Sequence, residues 1–301
     1  MFLLLMANKA INRNIILLSN IIQYKNIIMD TQKKLAKVDI IYFSHGGGPL
    51  PLLGEINHRE MVNFLQSLSS TLTKPEAIIV FSAHWEEEKV GIIGKNNPSL
   101  FYDYYGFPED TYSIHYPIKG DSQLIDEIQM GFTKKSINSY IELDRGYDHG
   151  VFVPLKIMYP DAKIPVIQIS LKKGLNPEYH ILLGRAMKEI SQKKLLIIGS
   201  GFSFHNMHEF NIGSAMHKVD AMNDEFQDWL IKICTENDGA KQTFHNLISW
   251  ETAPHARYCH PREEHLIPLH VCFGASTEQA HLIFDGYIAG KRSIALHWQN
   301  S

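Results

Sequence analysis

The sequence contains little cysteine, no block of basic residues and no long apolar run, and each absence argues against a class of protein. Three cysteines in 301 residues, with no CxxC pair, indicate neither a disulfide framework nor a thiolate zinc site. No apolar run reaches the roughly 18 residues of a membrane-spanning helix. A net charge of -3 argues against nucleic acid or an anionic membrane as the main partner. We therefore expect a cytoplasmic protein that acts on small molecules.

Three familiar catalytic signatures are also missing. The HExxH zinc motif and the GxSxG nucleophile elbow do not occur. The glycines Gly46, Gly47 and Gly48 do not match GxGxxG, because neither a helix start nor a downstream acidic residue is in register with them. A dinucleotide site is therefore not predicted.

Histidine is the residue in excess, with 16 in the chain, and imidazole is a frequent metal ligand and general acid or base. An apolar, β-branched run at residues 77–81 has the composition of a strand buried on both faces, and His84 follows it after a polar turn. Two further apolar runs end in the same way, one before His45 and one before His205. If the three strands share one sheet, their histidines converge on its carboxyl edge, where open α/β sheets bind ligands.

Strands of this kind alternate with amphipathic stretches, which is typical of an α/β fold. Apolar residues at helical spacing predict a helix over residues 57–72 that joins the first two strands in a βαβ unit with parallel strands. Further helices are predicted over residues 121–132, 176–191 and 215–235, and further strands over residues 90–93, 136–143, 164–171 and 293–298. No low-complexity linker appears, so we predict one catalytic domain, residues 38–301, with a central mostly parallel or mixed sheet flanked by helices and a metal site at the strand ends.

His149 lies in a turn between Asp148 and Gly150, before a helix predicted to start at Val153 or Pro154. A histidine at such a place more often caps a helix or forms a hydrogen bond than takes part in catalysis. Its position at another element boundary nevertheless makes it a candidate site residue.

Three more histidines, His255, His260 and His265, are spaced by five residues near the C-terminus. Five is not a helical ligand spacing, and Pro261 interrupts the run, so the three side chains cannot all point the same way. His265 opens an apolar segment, which makes it the candidate ligand of the three.

A site built from three imidazoles without a thiolate suits Zn, Fe, Cu or Ni rather than Ca or Mg. Such a site leaves a coordination position open, and two kinds of chemistry use it. A metal-bound hydroxide can hydrolyse an amide or ester, and Fe(II) can bring a substrate and dioxygen together. Any one histidine is more often a satisfied structural side chain, but His45, His84 and His205 jointly, each near serine or glycine at a strand end, favour a site.

Residues 101–116 are dense in aromatic side chains, and glycine and proline interrupt both the helical and the strand period. Such a loop is either a folded lid over the core or the wall of a pocket for a flat ring, because aromatic faces stack on aromatic substrates. Both interpretations stay open. If the loop is a pocket wall, we expect Tyr105 and Phe107 to bind substrate.

The first 28 residues mix isoleucine and leucine with asparagine and lysine and contain no clean signal peptide. Met29 offers a second start directly before the first strand. We expect residues 1–28 to be a non-conforming N-terminal extension that is dispensable or wrongly assigned.

Five short segments together carry a resemblance to a known family. These are, in chain order, FSHGGGP, FSAHWE, GYDHGVFVPLKIMYP, GSGFSFHNM and PREEHLIPL. From about Val38 to its end the chain resembles the class III extradiol ring-cleavage dioxygenases, and among them the DOPA 4,5-dioxygenase type related to the LigB subunit. SAHW, and DHG followed by VPL, are specific in combination.

The resemblance implies a role for each of five histidines. It implies that His45, His84 and His265 hold the metal, a set that belongs to the DOPA-type subgroup, because classical members carry a glutamate as third ligand. It implies that His205 is the acid or base beside the metal and could serve as a fourth ligand. His149 corresponds to a second-sphere histidine in the pocket.

The implied activity is an Fe(II)-dependent opening of a catechol ring by dioxygen, with a DOPA-like diol as substrate. Zinc is an alternative occupant, but it cannot activate dioxygen because it has no redox chemistry. A homodimer is the default expectation for an enzyme of this size. Two alternatives stay open: a zinc-dependent hydrolase on the same three histidines, and a non-catalytic binding protein of the Memo type. The sequence departs from the branch at GGGP, where many relatives have GSPM or a similar turn, and at His260, where a neutral residue is common.

Overall fold

The computed structural model describes residues 38–190, 193–210, 219–236 and 239–300. The expected extension at residues 1–28 lies outside these ranges. Within them, no helix combines the length and the apolar character needed to cross a membrane.

Eight strands form one sheet, and eight helices are named here in chain order. The strands are β1 (Val38–Ser44), β2 (Ala77–Glu87), β3 (Val90–Ile93), β4 (Ser139–Glu142), β5 (Val166–Lys172), β6 (Leu195–Gly201), β7 (His281–Ile288) and β8 (Lys291–Asn300). The helices are α1 (Arg59–Thr71), α2 (Ser122–Lys134), α3 (His149–Met158), α4 (Pro177–Met187), α5 (Ala221–Thr235), α6 (Ala240–Ile248), α7 (Ala256–Cys259) and α8 (Ile267–Ala275).

The sheet is mixed, with the strand order β4-β3-β5-β2-β6-β1-β8-β7. Its four central strands, β5, β2, β6 and β1, are parallel neighbours, whereas β8 runs antiparallel to β1 and β7 antiparallel to β8. The prediction of a mostly parallel or mixed sheet flanked by helices is confirmed. Because β6 lies between β1 and β2, the carboxyl ends of three central strands meet at one edge.

Alternate residues of the central strands enter two separate apolar layers, one on each face of the sheet. In β2, Ile79 and Phe81 pack into one layer, while Ile78 and Val80 pack into the other. All four side chains are buried. Burial on both faces explains why these strands appear in the sequence as continuous apolar runs rather than as an alternation.

In the helices that cover the sheet, the spacing of the apolar residues determines which side is buried. In α1, Met61, Leu65 and Leu68 form the buried side. Helix α8 is largely buried and apolar apart from His270, and it approaches α4 so closely that a Cβ atom at Gly274 would lie 2.1 Å from the carbonyl oxygen of Ile181. At the other end of α8, a Cβ atom at Gly199 of β6 would lie 2.5 Å from the carbonyl oxygen of Pro268, so the start of the helix packs against the carboxyl end of β6.

Several predicted boundaries are corrected by the structure. Strand β2 continues to Glu87, so His84 lies inside a strand and not in a turn after it. Helix α3 begins at His149 itself rather than at Val153 or Pro154. Strand β7 was not predicted, because its half-exposed residues show no clear alternation. Helix α6 was not predicted either.

Candidate metal centre

Three histidine side chains from distant parts of the chain meet at the carboxyl edge of the sheet. The Nε2 atoms of His45 and His84 are 2.9 Å apart, and those of His84 and His265 are 3.3 Å apart. One ligand atom from each of the three lies within 4.8 Å of those of the other two. Nitrogen ligands about 2.1 Å from a shared ion are separated by about 3.0 to 3.4 Å, so this arrangement fits one metal ion.

His45 is oriented by the strand next to its own. Its backbone N–H donates to the carbonyl oxygen of Gly201 at 3.1 Å, and its Nδ1 lies 3.0 Å from the hydroxyl oxygen of Ser200. Because the Ser200 hydroxyl donates its proton to the carbonyl oxygen of Gly150, we assign the proton of the His45 ring to Nδ1. The lone pair of Nε2 is then free to bind a metal.

His84 lies where β2 leaves its regular pairing with β5. The register between these strands shifts between Phe81 and Glu86, which is a bulge-like irregularity. Bulges often reorient a side chain beside a functional site. The carbonyl oxygen of His84 accepts a hydrogen bond from Arg145 at 3.0 Å, which fixes the backbone at this point.

His265 is held through its backbone at the start of α8. Its carbonyl oxygen accepts hydrogen bonds from the N–H of Phe202 and from the hydroxyl of Tyr42, each at 3.0 Å. Its Nδ1 lies 3.0 Å from a carboxylate oxygen of Glu264. A carboxylate only accepts hydrogen bonds, so Nδ1 carries the proton and Nε2 again faces the other two histidines.

The environment keeps these three rings neutral. Burial lowers the pKa of His45, His84 and His265 well below the ordinary imidazole range, and the charges of neighbouring imidazoles lower it further. A metal binds only the unprotonated imidazole. The donor set therefore fits a transition metal: three neutral nitrogen ligands, with the two assigned Nε2 lone pairs pointing inward.

His205 lies beside this group and is oriented by Glu264. Its ring stacks on that of His265, with centroids 3.4 Å apart and planes 18° from parallel. Its Nδ1 lies 3.1 Å from the same Glu264 oxygen that serves His265. Burial acts to raise the pKa of Glu264, but the hydrogen bond from His205 and nearby positive charges outweigh it and lower the pKa. Its potential ligand atom clusters with those of Glu264 and His265 rather than with those of His45 and His84.

His149 lies beside His84 and His45, with its ring centroid 3.9 Å from that of His84 and 5.2 Å from that of His45. Asp103 accepts hydrogen bonds from both the backbone N–H and Nδ1 of His149, at 2.9 and 2.8 Å. A second Asp103 oxygen is 3.6 Å from Nδ1 of His84. Burial acts to raise the pKa of Asp103, but the hydrogen bonds and charge of His149 lower it to about 2. The carboxylate is therefore ionised at neutral pH.

The structure places the two neighbouring tyrosines of the aromatic loop in different environments. Tyr105 is 91% exposed, whereas the ring of Tyr104 is buried and lies 6.0 Å from that of His149. Phe107 packs against Tyr104 with ring centroids 5.5 Å apart and borders Gly48. Of the two neighbouring tyrosines, Tyr104 faces the histidines and Tyr105 faces solvent.

The remaining C-terminal histidines lie apart from the cluster. His260 is buried and its Nε2 lies 2.9 Å from the carbonyl oxygen of Ser203, while His255 pairs with Glu225 at 3.1 Å. Sequence reasoning missed Ser200, Glu264 and Asp103, the three residues that orient the site. Only Glu264 had a local signal, since it immediately precedes a candidate ligand.

Comparison with known proteins points to one family. The family model described as the catalytic LigB subunit of aromatic ring-opening dioxygenase matches residues 40–292. Dioxygenase tasH of Hapsidospora irregularis is 35% identical over 265 residues, covering 82% of this chain and 80% of its own length. The 4,5-DOPA dioxygenase extradiol of Beta vulgaris is 33% identical over 260 residues, covering 84% and 92%.

A solved structure shares the fold. It is the crystal structure of an uncharacterized protein from Escherichia coli K12, which superposes with a TM-score of 0.69 at 23% identity and covers 86% of this chain and 99% of its own. The family match spans most of the chain and includes every histidine of the cluster. The chain therefore belongs to the LigB family and is an aromatic ring-opening dioxygenase of the extradiol type.

Proposed function

We propose that this protein uses Fe(II) to open the ring of a catechol with dioxygen and that a DOPA-like diol is its substrate. The observation that carries the proposal is that the Nε2 atoms of three neutral imidazoles converge, with two further histidines beside them. Each of these two further histidines contacts a carboxylate. The names of relatives such as the 4,5-DOPA dioxygenase extradiol of Beta vulgaris support the choice of substrate.

In this proposal His45, His84 and His265 hold the metal, and His205 could approach it as a fourth ligand. Ligands of this kind, without thiolate, suit Fe(II), and zinc could occupy the same site. When bound, Fe(II) supplies the redox chemistry that allows dioxygen to react with the catechol. Both oxygen atoms enter the product, a ring-opened semialdehyde that also carries a carboxylate.

The residues of this chain provide the proton transfers and the pocket. The Nδ1 atom of His205 lies 3.1 Å from Glu264, so its Nε2 is left to accept a hydroxyl proton from the catechol and to return it later. His149, fixed by Asp103, presents its Nε2 on the other side of the site and holds a substrate oxygen. Tyr104 and Phe107 form an aromatic wall near His149, against which a flat ring can stack.

The test is anaerobic loading of the purified apoprotein with Fe(II), followed by addition of air and a panel of catechols that includes DOPA. We expect consumption of one dioxygen per catechol and a yellow product that absorbs visible light. The same protein loaded with Zn(II) serves as the matched control and should not consume dioxygen, because zinc has no redox chemistry.

The panel also separates the two alternatives retained from the sequence. Hydrolysis of an ester or amide by the zinc form without oxygen would favour a hydrolase. Tight metal binding without turnover of any catechol or ester would favour a Memo-type binding protein. Either result would contradict the proposal. A concentration series by light scattering tests the expected homodimer.

A further inference from the structure

We propose that Glu264 is a positioning residue that holds the metal ligand and the proton-transferring histidine in a fixed mutual orientation. The inference rests on the proposed function, in which His265 binds the metal and His205 exchanges protons with the substrate. It concerns a residue that lies outside the ligand set of that proposed function and acts through two histidine rings within it.

One oxygen atom of Glu264 serves both rings. Oε1 accepts a hydrogen bond from Nδ1 of His265 at 3.0 Å and lies 3.1 Å from Nδ1 of His205, within ion-pair distance. The two rings are stacked 3.4 Å apart and nearly parallel. Because one carboxylate oxygen contacts both Nδ1 atoms, rotation of the His265 ring would break a charge-assisted hydrogen bond and rotation of the His205 ring would break a close contact with the same negative charge.

The same contacts favour one tautomer of each ring when that ring is neutral. A carboxylate accepts hydrogen bonds and donates none, so the proton of each ring resides on Nδ1. Each Nε2 then carries a lone pair. For His265 this is the atom 3.3 Å from Nε2 of His84, in the metal site, and for His205 it is the atom available to a substrate proton.

Glu264 is itself held from the opposite side. Its second oxygen, Oε2, is buried and has no hydrogen-bond partner among the residues that the structure describes. The guanidinium of Arg262 lies 3.5 Å from that oxygen and also pairs with Glu86 of β2 at 2.6 Å. The carboxylate is therefore steadied by a cation that connects it to the strand bearing His84.

Asp103 also contacts two histidines, but its contact with the proposed metal ligand His84 is longer than that of Glu264 with His265. It is hydrogen-bonded to His149 at 2.8 Å, but its distance to Nδ1 of the ligand His84 is 3.6 Å, beyond an ordinary hydrogen bond. We therefore expect Glu264 to influence metal affinity more than Asp103 does.

The experiment measures metal binding by the full chain without any substrate. Apoprotein is titrated with Zn(II) against a chromophoric chelator, and Co(II) is bound separately so that its visible bands report the ligand geometry. The variants are Glu264→Gln, Glu264→Ala and Glu264→Asp, with Asp103→Asn for comparison. Glu263→Gln is the matched control, because the neighbouring Glu263 side chain pairs with Arg257 at 2.7 Å and not with a histidine.

We expect Glu264→Ala to weaken Zn(II) binding about 10- to 100-fold and to alter the Co(II) bands, since partners of ligating histidines have effects of this size. Glu264→Gln should weaken binding by less, and Glu264→Asp should restore part of the affinity because it retains the charge. Asp103→Asn should have a smaller effect than Glu264→Gln, and Glu263→Gln should resemble the wild type.

Wild-type affinity together with unchanged Co(II) bands in Glu264→Gln and Glu264→Ala would overturn the inference, as would an equal loss in Glu263→Gln. Circular dichroism of each apoprotein checks folding, and if Glu264→Ala does not fold, Glu264→Gln and Glu264→Asp decide the question. Because no catechol or dioxygen is used, the result stands whether or not the wild-type protein opens a catechol ring.

Discussion

Gly201 lies directly against the backbone of His265: a Cβ atom added at Gly201 would be 2.0 Å from the His265 carbonyl oxygen. The same oxygen accepts hydrogen bonds from Phe202 and Tyr42. The end of β6 and the start of α8 therefore meet backbone to backbone, and glycine is required at this contact because there is no room for a side chain.

We predict that Gly201→Ala destabilises the fold by about 3 kcal/mol, because overpacking of a buried contact costs this order of energy. Metal binding should weaken as well, since His265 must move to make room. Urea unfolding and Zn(II) titration measure the two effects.

Gly54→Ala is the control: nothing lies within 4 Å of its added Cβ, although its φ of +72° adds backbone strain. It should cost about 1 kcal/mol and leave metal affinity unchanged. Equal metal affinity in both variants would contradict the prediction.

His265→Ala and His205→Ala should separate metal binding from proton transfer. We expect His265→Ala to lower metal affinity by more than about 100-fold, because loss of a ligand should exceed the loss of a ligand's partner. His205→Ala should retain metal within about 10-fold of the wild type and lose catechol turnover, since His205 lies outside the group formed by His45, His84 and His265. Metal analysis after dialysis, combined with oxygen uptake, gives both quantities. Retained turnover in His205→Ala would refute its assigned role.

Tyr104 and Tyr105 provide an adjacent pair for testing the aromatic wall. Tyr104→Ala should raise the KM for a catechol about 3- to 10-fold, because an aromatic pair contributes about 0.5 to 1.5 kcal/mol. Tyr105→Ala should leave KM unchanged, since that side chain is 91% exposed. Steady-state oxygen uptake measures both. A larger effect from Tyr105 than from Tyr104 would show that the loop changes its conformation when substrate binds.

The buried histidine His270 should make the fold acid-sensitive. Burial is the largest influence on its pKa and lowers it to about 4. The unfolded chain, with an ordinary imidazole pKa of about 6.5, binds a proton that the folded state does not, so stability falls as the pH drops from about 6.5 toward 4. The loss approaches about 1.4 kcal/mol per pH unit, or about 2 kcal/mol by pH 5.

Urea unfolding of the apoprotein between pH 5 and 7.5 tests this pH dependence. In His270→Gln the slope of unfolding free energy against pH should be smaller by about 1.4 kcal/mol per unit below pH 6. The exposed His281 supplies the control, since solvent surrounds its side chain in both states, and His281→Gln should keep the wild-type slope. An identical slope in the wild type and His270→Gln would contradict the prediction.

The sequence by itself determined the class of fold and the place of the site. The apolar runs before His45 and His84 are strands buried on both faces, and this local composition is sufficient to predict parallel strands that end at a common edge. The residue pattern alone favoured His45, His84 and His205 together, because all three come after apolar runs. The residue pattern also made His265 a candidate ligand, because it opens an apolar segment, and the family resemblance then grouped it with His45 and His84.

Only the tertiary structure decided which rings meet and how they are oriented. His265 approaches His84 across 181 positions of the chain, and that contact depends on the packing of α8 against α4 and β6. The Asp103 contact with His149 and the Glu264 contacts with His205 and His265 depend on side-chain orientation, which spacing along the chain does not encode. Local periodicity reports which face of an element is buried, whereas the direction of a ring is set by hydrogen bonds from elements distant in sequence.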